Sequence, residues 1–209
     1  MNPIKAALGC AAALALLAAS AHAQPAPPTA SRDFSAVKAG DYAIEPVHTR
    51  ILFSLSHLGF STWYGDFTHA SGTARIDPAH PAASSVEVSV PTGSVTTTNS
   101  TLDAELKGPD WFDAAKFPAI TFKSRQLSVT GPGQGQIVGD LTLHGVTRPV
   151  TLQVQFHGAG ANPMSHAYTA GFDATGEIKR SDFGVPKYVP MVGDEVKLIL
   201  SAAFERKGP

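Results

Sequence analysis

Cysteine is all but missing from this sequence, and the single one, Cys10, falls within the first 23 residues. Once that stretch is removed, no disulfide, thiolate metal site or cysteine nucleophile can form, so the fold has to be held by its apolar core. Charge is scarce as well, at 16%, and balanced, with 17 acidic residues against 16 basic. That balance argues against nucleic acid or a polybasic membrane contact as a partner. The spacings of common site chemistry are absent too. There is no GxSxG elbow and no HxH or HExxH pair, and Gly131-Pro132-Gly133-Gln134-Gly135 lacks the following helix that a phosphate cradle needs. No catalytic residue, metal site or cofactor is therefore predicted.

The first 23 residues carry one Lys5, run almost without polarity from Ala6 to Ala19, and end in Ala21-His22-Ala23. A small-x-small ending of this kind predicts a cleaved secretory signal and a periplasmic location. The apolar run is too short to span about 30 Å of hydrocarbon at 1.5 Å per residue. Cleavage before Cys10 as a lipoprotein would leave almost no apolar core. Residues 24–40, opening QPAPPTA, have little to bury and are expected to form a Pro-rich disordered tether, with the folded domain at 41–206.

Alternation fills the rest of the chain. Between Ile137 and Phe156, the apolar Ile137, Leu141, Leu143, Val150, Leu152, Val154 and Phe156 alternate with Asp140, Thr142, Thr151, Gln153 and Gln155. A period of two predicts a β-hairpin with one greasy face, connected through residues 144–148, with Pro149 at the start of the second strand. Ile51, Phe53 and Leu55 share a face with His57, and Phe67 to Ile76 continue a long strand bent at its glycines. Val86, Val88 and Val90 alternate cleanly. Strands are also read at 119–123, 126–130, from Tyr168 to Arg180, and from Val196 to Glu205.

The alternation stops from Asn99 to Phe117, where Asn99 or Ser100 can cap a helix that Gly108-Pro109 breaks. Trp111, Phe112 and Phe117 make this insert too apolar for a solvated loop, so it is expected to close one end of something. Eight or nine strands with one helical insert predict an antiparallel barrel or sandwich. Strand lengths favour the barrel, whose lumen at about eight strands can hold one small ligand.

Four stretches, in this order, resemble the YceI-like family of bacterial polyisoprenoid-binding, lipocalin-like periplasmic proteins. They are His57-Leu58-Gly59-Phe60-Ser61 leading to Gly65-Asp66-Phe67; Trp111-Phe112-Asp113 ahead of Lys116-Phe117-Pro118-Ala119-Ile120-Thr121-Phe122; Gly139 to Val150, GDLTLHGVTRPV; and Ile178-Lys179-Arg180-Ser181-Asp182-Phe183-Gly184. The resemblance implies an all-β fold, an extended eight-stranded antiparallel lipocalin-like barrel with a short helical lid insert. Its lumen would hold an isoprenoid lipid or quinone, carried or buffered in the envelope, and some relatives sit beside membrane b-type cytochromes. One departure is plain. Where many relatives look like Arg-Asp-x-His-Leu ahead of the lid, this chain reads Leu102-Asp103-Ala104-Glu105-Leu106, which shifts the expected head group from a phosphate to a neutral, quinone-like one.

The residues expected to line such a lumen are Phe53, Leu55, Phe67, Trp111, Phe112, Phe117, Phe122, Leu141, Leu143, Phe172, Phe183, Leu198 and Leu200. At about 25 cal/mol per Å², sealing on the order of 500 Å² of tail from water supplies roughly 12 kcal/mol gross, so shape and dryness suffice for binding. Three polar candidates accompany them. His57 could orient a carbonyl or hydroxyl, whereas Arg180 and Asp182 either read a head group or pin a loop, with pinning favoured and Asp66, Asp140 and Asp182 available as carboxylate partners for the arginine. His144 is expected to brace the hairpin turn. Two other readings stay open: a lipid-modifying esterase or isomerase using the same lumen, and a ligand-free structural or stress-related envelope protein with a filled barrel. An open sheet seam would permit a homodimer.

Overall fold

In the computed structural model residues 30–208 are described; the expected signal and the first part of the tether lie outside the described residues. The alternating stretches become ten strands: β1 (Gly40–His57), β2 (Ser61–Phe67), β3 (Ser71–Ile76), β4 (Ser85–Pro91), β5 (Val95–Thr96), β6 (Ala119–Gly131), β7 (Gln134–Leu143), β8 (Val146–Ala161), β9 (Tyr168–Lys179) and β10 (Glu195–Arg206). One helix, α1 (Ser100–Leu106), interrupts them. β1 pairs with β3 through its first half, as Tyr42↔Ala74, and with β2 through its second, as Phe53↔Gly65. The short β5 extends the β4 stave by pairing with β2. With β2–β3 and β4–β5 each taken as one stave, eight antiparallel staves follow one another in chain order, and β1 closes the ring against β10 from Tyr42↔Arg206 to Ser54↔Lys197.

Local chemistry sets the bends. Between Glu45 and Arg50 the β1–β10 register shifts, and Pro46 and Val47 bulge outward. The Glu45 carboxylate accepts from the amides of Val47 and His48, both at 2.9 Å, and the Thr49 hydroxyl donates 2.7 Å to the Glu45 carbonyl, so the bulge is held by its own polar groups. The hairpin of β7 and β8 is tighter than its sequence suggests. His144 (φ 52°) and Gly145 (φ 74°) form a two-residue turn between the paired Leu143 and Val146, the double positive φ that matches strand twist. Residues 146–148 therefore belong to β8, and Pro149 stands opposite Asp140 within it. β9 joins β8 only from Gln153 onward, so Pro149 keeps an edge position. Likewise the two strands read at 119–123 and 126–130 are one, with a bulge between Ser124 and Gln126.

Two apolar clusters close the barrel axis. At one end Tyr42, Ile76, Phe156, Ala170 and Phe204 are buried together with Val37. Val37 belongs to the stretch expected to be a disordered tether, and here the expectation is corrected. Ser31 exchanges backbone hydrogen bonds of 2.8 and 2.9 Å with Ala159, a 3-10 turn spans Phe34–Ala36, and the Phe34 ring meets Phe156 edge-on at 5.3 Å. The tether's composition is polar and Pro-rich only up to about residue 30; Phe34 and Val37 have apolar surface to bury, and the sheet edge at Ala159 offers partners. At the other end Leu106, Trp111 and Val185 pack over Phe53 and Phe67, with Phe183 wedged against Leu143, Val150 and Leu152.

Close approach fixes two glycines. A Cβ at Gly65 would overlap the Phe53 ring, and one at Gly139 the Phe122 ring, so each aromatic lies flat over a bare backbone on the inner wall. Gly65→Ala is expected to push Phe53 off its rotamer, at about 1–3 kcal/mol. A thermal melt should fall by several degrees, since roughly 2–4 °C accompanies each kcal/mol in a domain of this size.

Candidate functional site

An inner face of hydrocarbon fills a barrel only if the side chains meet across it, and here they do not. Phe122, Leu141, Leu198 and Leu200 point inward yet are only half-buried, because their tips border empty space. That space is a cavity of about 360 Å³, within the range of pockets that take one ligand. It runs from the α1 end, where it meets Leu106, Trp111 and Phe112, to the β6–β7 turn, where it meets Val129 and Gly133.

Twelve of the sixteen residues expected at a site border this lumen. Phe53 and Leu55 reach it from β1, Phe67 from β2, and Phe122, Leu141 and Leu143 from β6 and β7. Phe172 comes from β9, Leu198 and Leu200 from β10, Trp111 and Phe112 from the insert, and Arg180 from the loop after β9. The other four do not line it. His57 ends β1 beyond the rim, bridged to Val192, with its ring tilted 46° to that of Trp63 and the ring centres 5.6 Å apart. Phe117 leaves the insert to cover Gly145 and meets His144 edge-on at 4.7 Å. Phe183 is 2% exposed inside the end cluster, and Asp182 is exposed on the outer side of its turn. For His57 alternation names the face but not where the rim comes; for the others no periodicity applied. Reasoning from aromatics also passed over smaller lining residues such as Ile51, Ile120, Leu152 and Val154, although the same alternation marks them.

The closed end is built from polar groups that satisfy one another. Arg180 is 4% exposed, and its guanidinium donates to the carbonyls of Val185 (2.6 Å), Val192 (2.7 Å) and Gly193 (2.8 Å) while lying 5.5 Å from the Trp111 ring centre. The carboxylates expected to pair with it are elsewhere: Asp66 binds Arg50, Asp140 binds Arg125 at 2.7 Å, and Asp182 faces water. Burial pushes the Arg180 pKa down, and the charge of Asp194 opposes that. So Arg180 pins the 185–193 loop by hydrogen bonds to backbone, which matches the pinning role but not the partner. Burial would raise the Asp194 carboxyl, yet the Ser181 hydroxyl at 2.7 Å and amide at 2.9 Å, with Arg180 nearby, hold it below its usual range.

The lid is tied down in the same way. Asn99 caps α1 by accepting from the amides of Thr101 and Leu102, and Asp103 accepts from the Thr97 hydroxyl (2.7 Å) and amide (2.6 Å). The Thr97 hydroxyl is the main reason the Asp103 pKa is lowered; desolvation opposes it and the Thr97 amide adds to it. Glu105 accepts from the Trp111 indole at 3.0 Å, and Lys187 reaches across from the loop to Asp110 at 2.9 Å. Among the described residues no three His, Asp or Glu side chains gather as metal ligands, and no helix is long and apolar enough to cross a membrane.

Comparison with known proteins agrees on one family. A model of the YceI-like domain matches residues 42–204. A UPF0312 protein of Yersinia pestis is 41% identical over 165 residues, covering 78% of this chain and 85% of its own, and one of Ectopseudomonas mendocina is 39% identical over 78% and 86%. Among solved structures, Burkholderia cenocepacia BcnA superposes with a TM-score of 0.70 at 26% identity, over 77% of this chain and 98% of its own. A polyisoprenoid binding domain from Saccharophagus degradans shares the fold at 0.60 and 16% identity, over 81% and 99%.

Two outcomes are expected at the closed end. Arg180→Met leaves three carbonyls without their donor and should cost about 3 kcal/mol, read as a lower denaturation midpoint, with Arg180→Lys restoring only part because an ammonium lacks the planar fork. Asp103 and Asp194 have lowered folded-state values, so their contribution is present above about pH 4 and lost as pH falls through those values. With Trp63→Phe leaving Trp111 as the reporter, its emission should shift red between pH 5 and 2, and Asp103→Asn should shrink that shift.

Proposed function

This chain belongs to the YceI-like domain family, and from that premise we propose that it is a non-catalytic binding protein that holds a long-chain isoprenoid lipid in its lumen and carries or buffers it in the periplasm. The observation that carries the reading is the hollow interior, about 360 Å³ bordered almost wholly by hydrocarbon. Covering those walls with a tail removes water from both surfaces, and each 100 Å² of apolar area so covered is worth about 2.5 kcal/mol. Binding then needs no particular residue, only a dry tube of the right width. The Saccharophagus degradans neighbour described as a polyisoprenoid binding domain has the same fold.

The composition of the lumen supports binding over chemistry. Among the described residues that border it, none is Asp, Glu, His, Lys, Tyr or Cys, so no group with an accessible pKa stands ready to move a proton. It also supports a neutral, quinone-like head group. Leu102 packs into the apolar cluster and Glu105 holds the Trp111 indole, where the resemblance to the family would lead one to expect arginine and histidine, and the buried Arg180 gives three of its five donors to carbonyls. The reading of residues 1–23 as a cleaved signal supports the periplasmic location.

Protein purified natively from its own envelope should release a prenylated lipid on solvent extraction, identified by mass spectrometry; repeatedly empty extracts would overturn the reading. Leu200→Trp should abolish the rise in Tm on adding a prenyl quinone, because the indole occupies the tail's path. Ile199→Trp, its outward neighbour at 41% exposure, should keep a rise of the size that about 2.7 kcal/mol produces at a hundredfold excess over Kd.

A further inference from the structure

The barrel is shut at both ends of its axis and open on its flank. The α1 end is closed by Leu106 (7% exposed), Trp111 (8%), Val185 (2%) and Arg180 (4%). The opposite end is closed by Tyr42, Phe156 and Phe204, with Phe34 laid over them. β4 and β6 are neighbours along only part of their length. They pair from Pro91↔Ala119 to Glu87↔Lys123, and the last link is the Val86 amide donating 2.9 Å to the Ser124 hydroxyl. Beyond the bulge at Ser124 and Gln126, β6 runs on to Gly131 with β7 as its paired neighbour, and the 3-10 turn Pro81–Ala83 packs across the gap. The cavity reaches the surface here. Pro81, Ser84, Leu127, Val129, Gly131 and Gly135 border it, and Val129 is 62% exposed.

We propose that a single-tailed lipid enters through this flank opening between β4 and β6, terminal carbon first, and lies with that carbon toward Trp111 and its polar head left in water beside Val129. The inference rests on the lumen being a lipid site and adds its direction. A head group driven to the α1 end would shed its water among groups already largely engaged. Arg180 gives three of its five N–H donors to Val185, Val192 and Gly193, and the Trp111 indole gives its own to Glu105. An unpaired polar group in such a place is costly, whereas at the flank it keeps its hydration. The rim is mainly glycine, proline, serine, leucine and valine, which can pass a tail, with Gln134, Gln136 and Arg75 also bordering the cavity.

The test uses the full chain carrying Trp63→Phe, so that Trp111 alone emits, and two hexadecanols, one brominated on its terminal carbon and one on the carbon next to the hydroxyl. Bromine quenches indole only near contact, so the terminal bromide is expected to quench Trp111 at least twofold more strongly. Equal quenching, or stronger quenching by the head-side bromide, overturns the direction while leaving lipid binding intact. If neither alcohol binds, read as no rise in Tm for the unmutated chain, both the direction and the lipid reading fail. A second measurement locates the opening with two exposed positions. In a Cys10→Ser background, a bulky maleimide on Val129→Cys should slow hexadecanol loading about tenfold, and the same group on Phe60→Cys, which is 89% exposed near the α1 end, should not. The opposite pattern overturns the flank route.

Discussion

A closed antiparallel sheet must turn one face of every strand inward, and no residue on that face can escape to solvent by slipping register without moving all its neighbours to the wrong side. Everything else in this molecule follows from that constraint. Because the eight staves close through β1 and β10, the inner face is continuous hydrocarbon around the ring. Its width is set by strand number and tilt, not by the side chains available to fill it. Where Phe53 and Phe122 lie flat over Gly65 and Gly139, the wall is thinned and the centre is left empty. The barrel is thus greasy and hollow for the same geometric reason.

A hollow apolar tube would collapse or flood if its ends were loose, and polar groups hold the α1 end. Arg180 gathers three carbonyls of one loop, Asp194 caps the turn that carries Arg180, and Asp103 ties α1 to Thr97. Arg180 borders the cavity, but three of its five donors already face carbonyls of the loop. That engagement makes the α1 end a poorer place for a head group than the flank, where the head keeps its water.

Hydrophobic periodicity made the strands legible, because a period of two has a single reading wherever turns bracket it. Val86 to Val90, the β7–β8 hairpin and the Asn99 cap were all readable in this way. Several things were not. The strap at Ser31–Val37 looks like loose chain until Ala159 supplies its backbone partners, and a carboxylate for Arg180 was a sound guess that backbone carbonyls replaced. His57 shares a face with lumen residues yet lies past the rim, since alternation says which side a residue takes but not how far along the barrel it stands.

By itself, then, the sequence determined the alternation, the turns, the helix cap and the absence of paired-histidine spacings, because these are local properties of neighbouring residues. Only the tertiary structure decided that the interior is empty, that both axial ends are shut and that β4 and β6 part company on the flank. Those depend on distances between residues far apart in the chain, and a void has no residues of its own to leave a mark in the sequence.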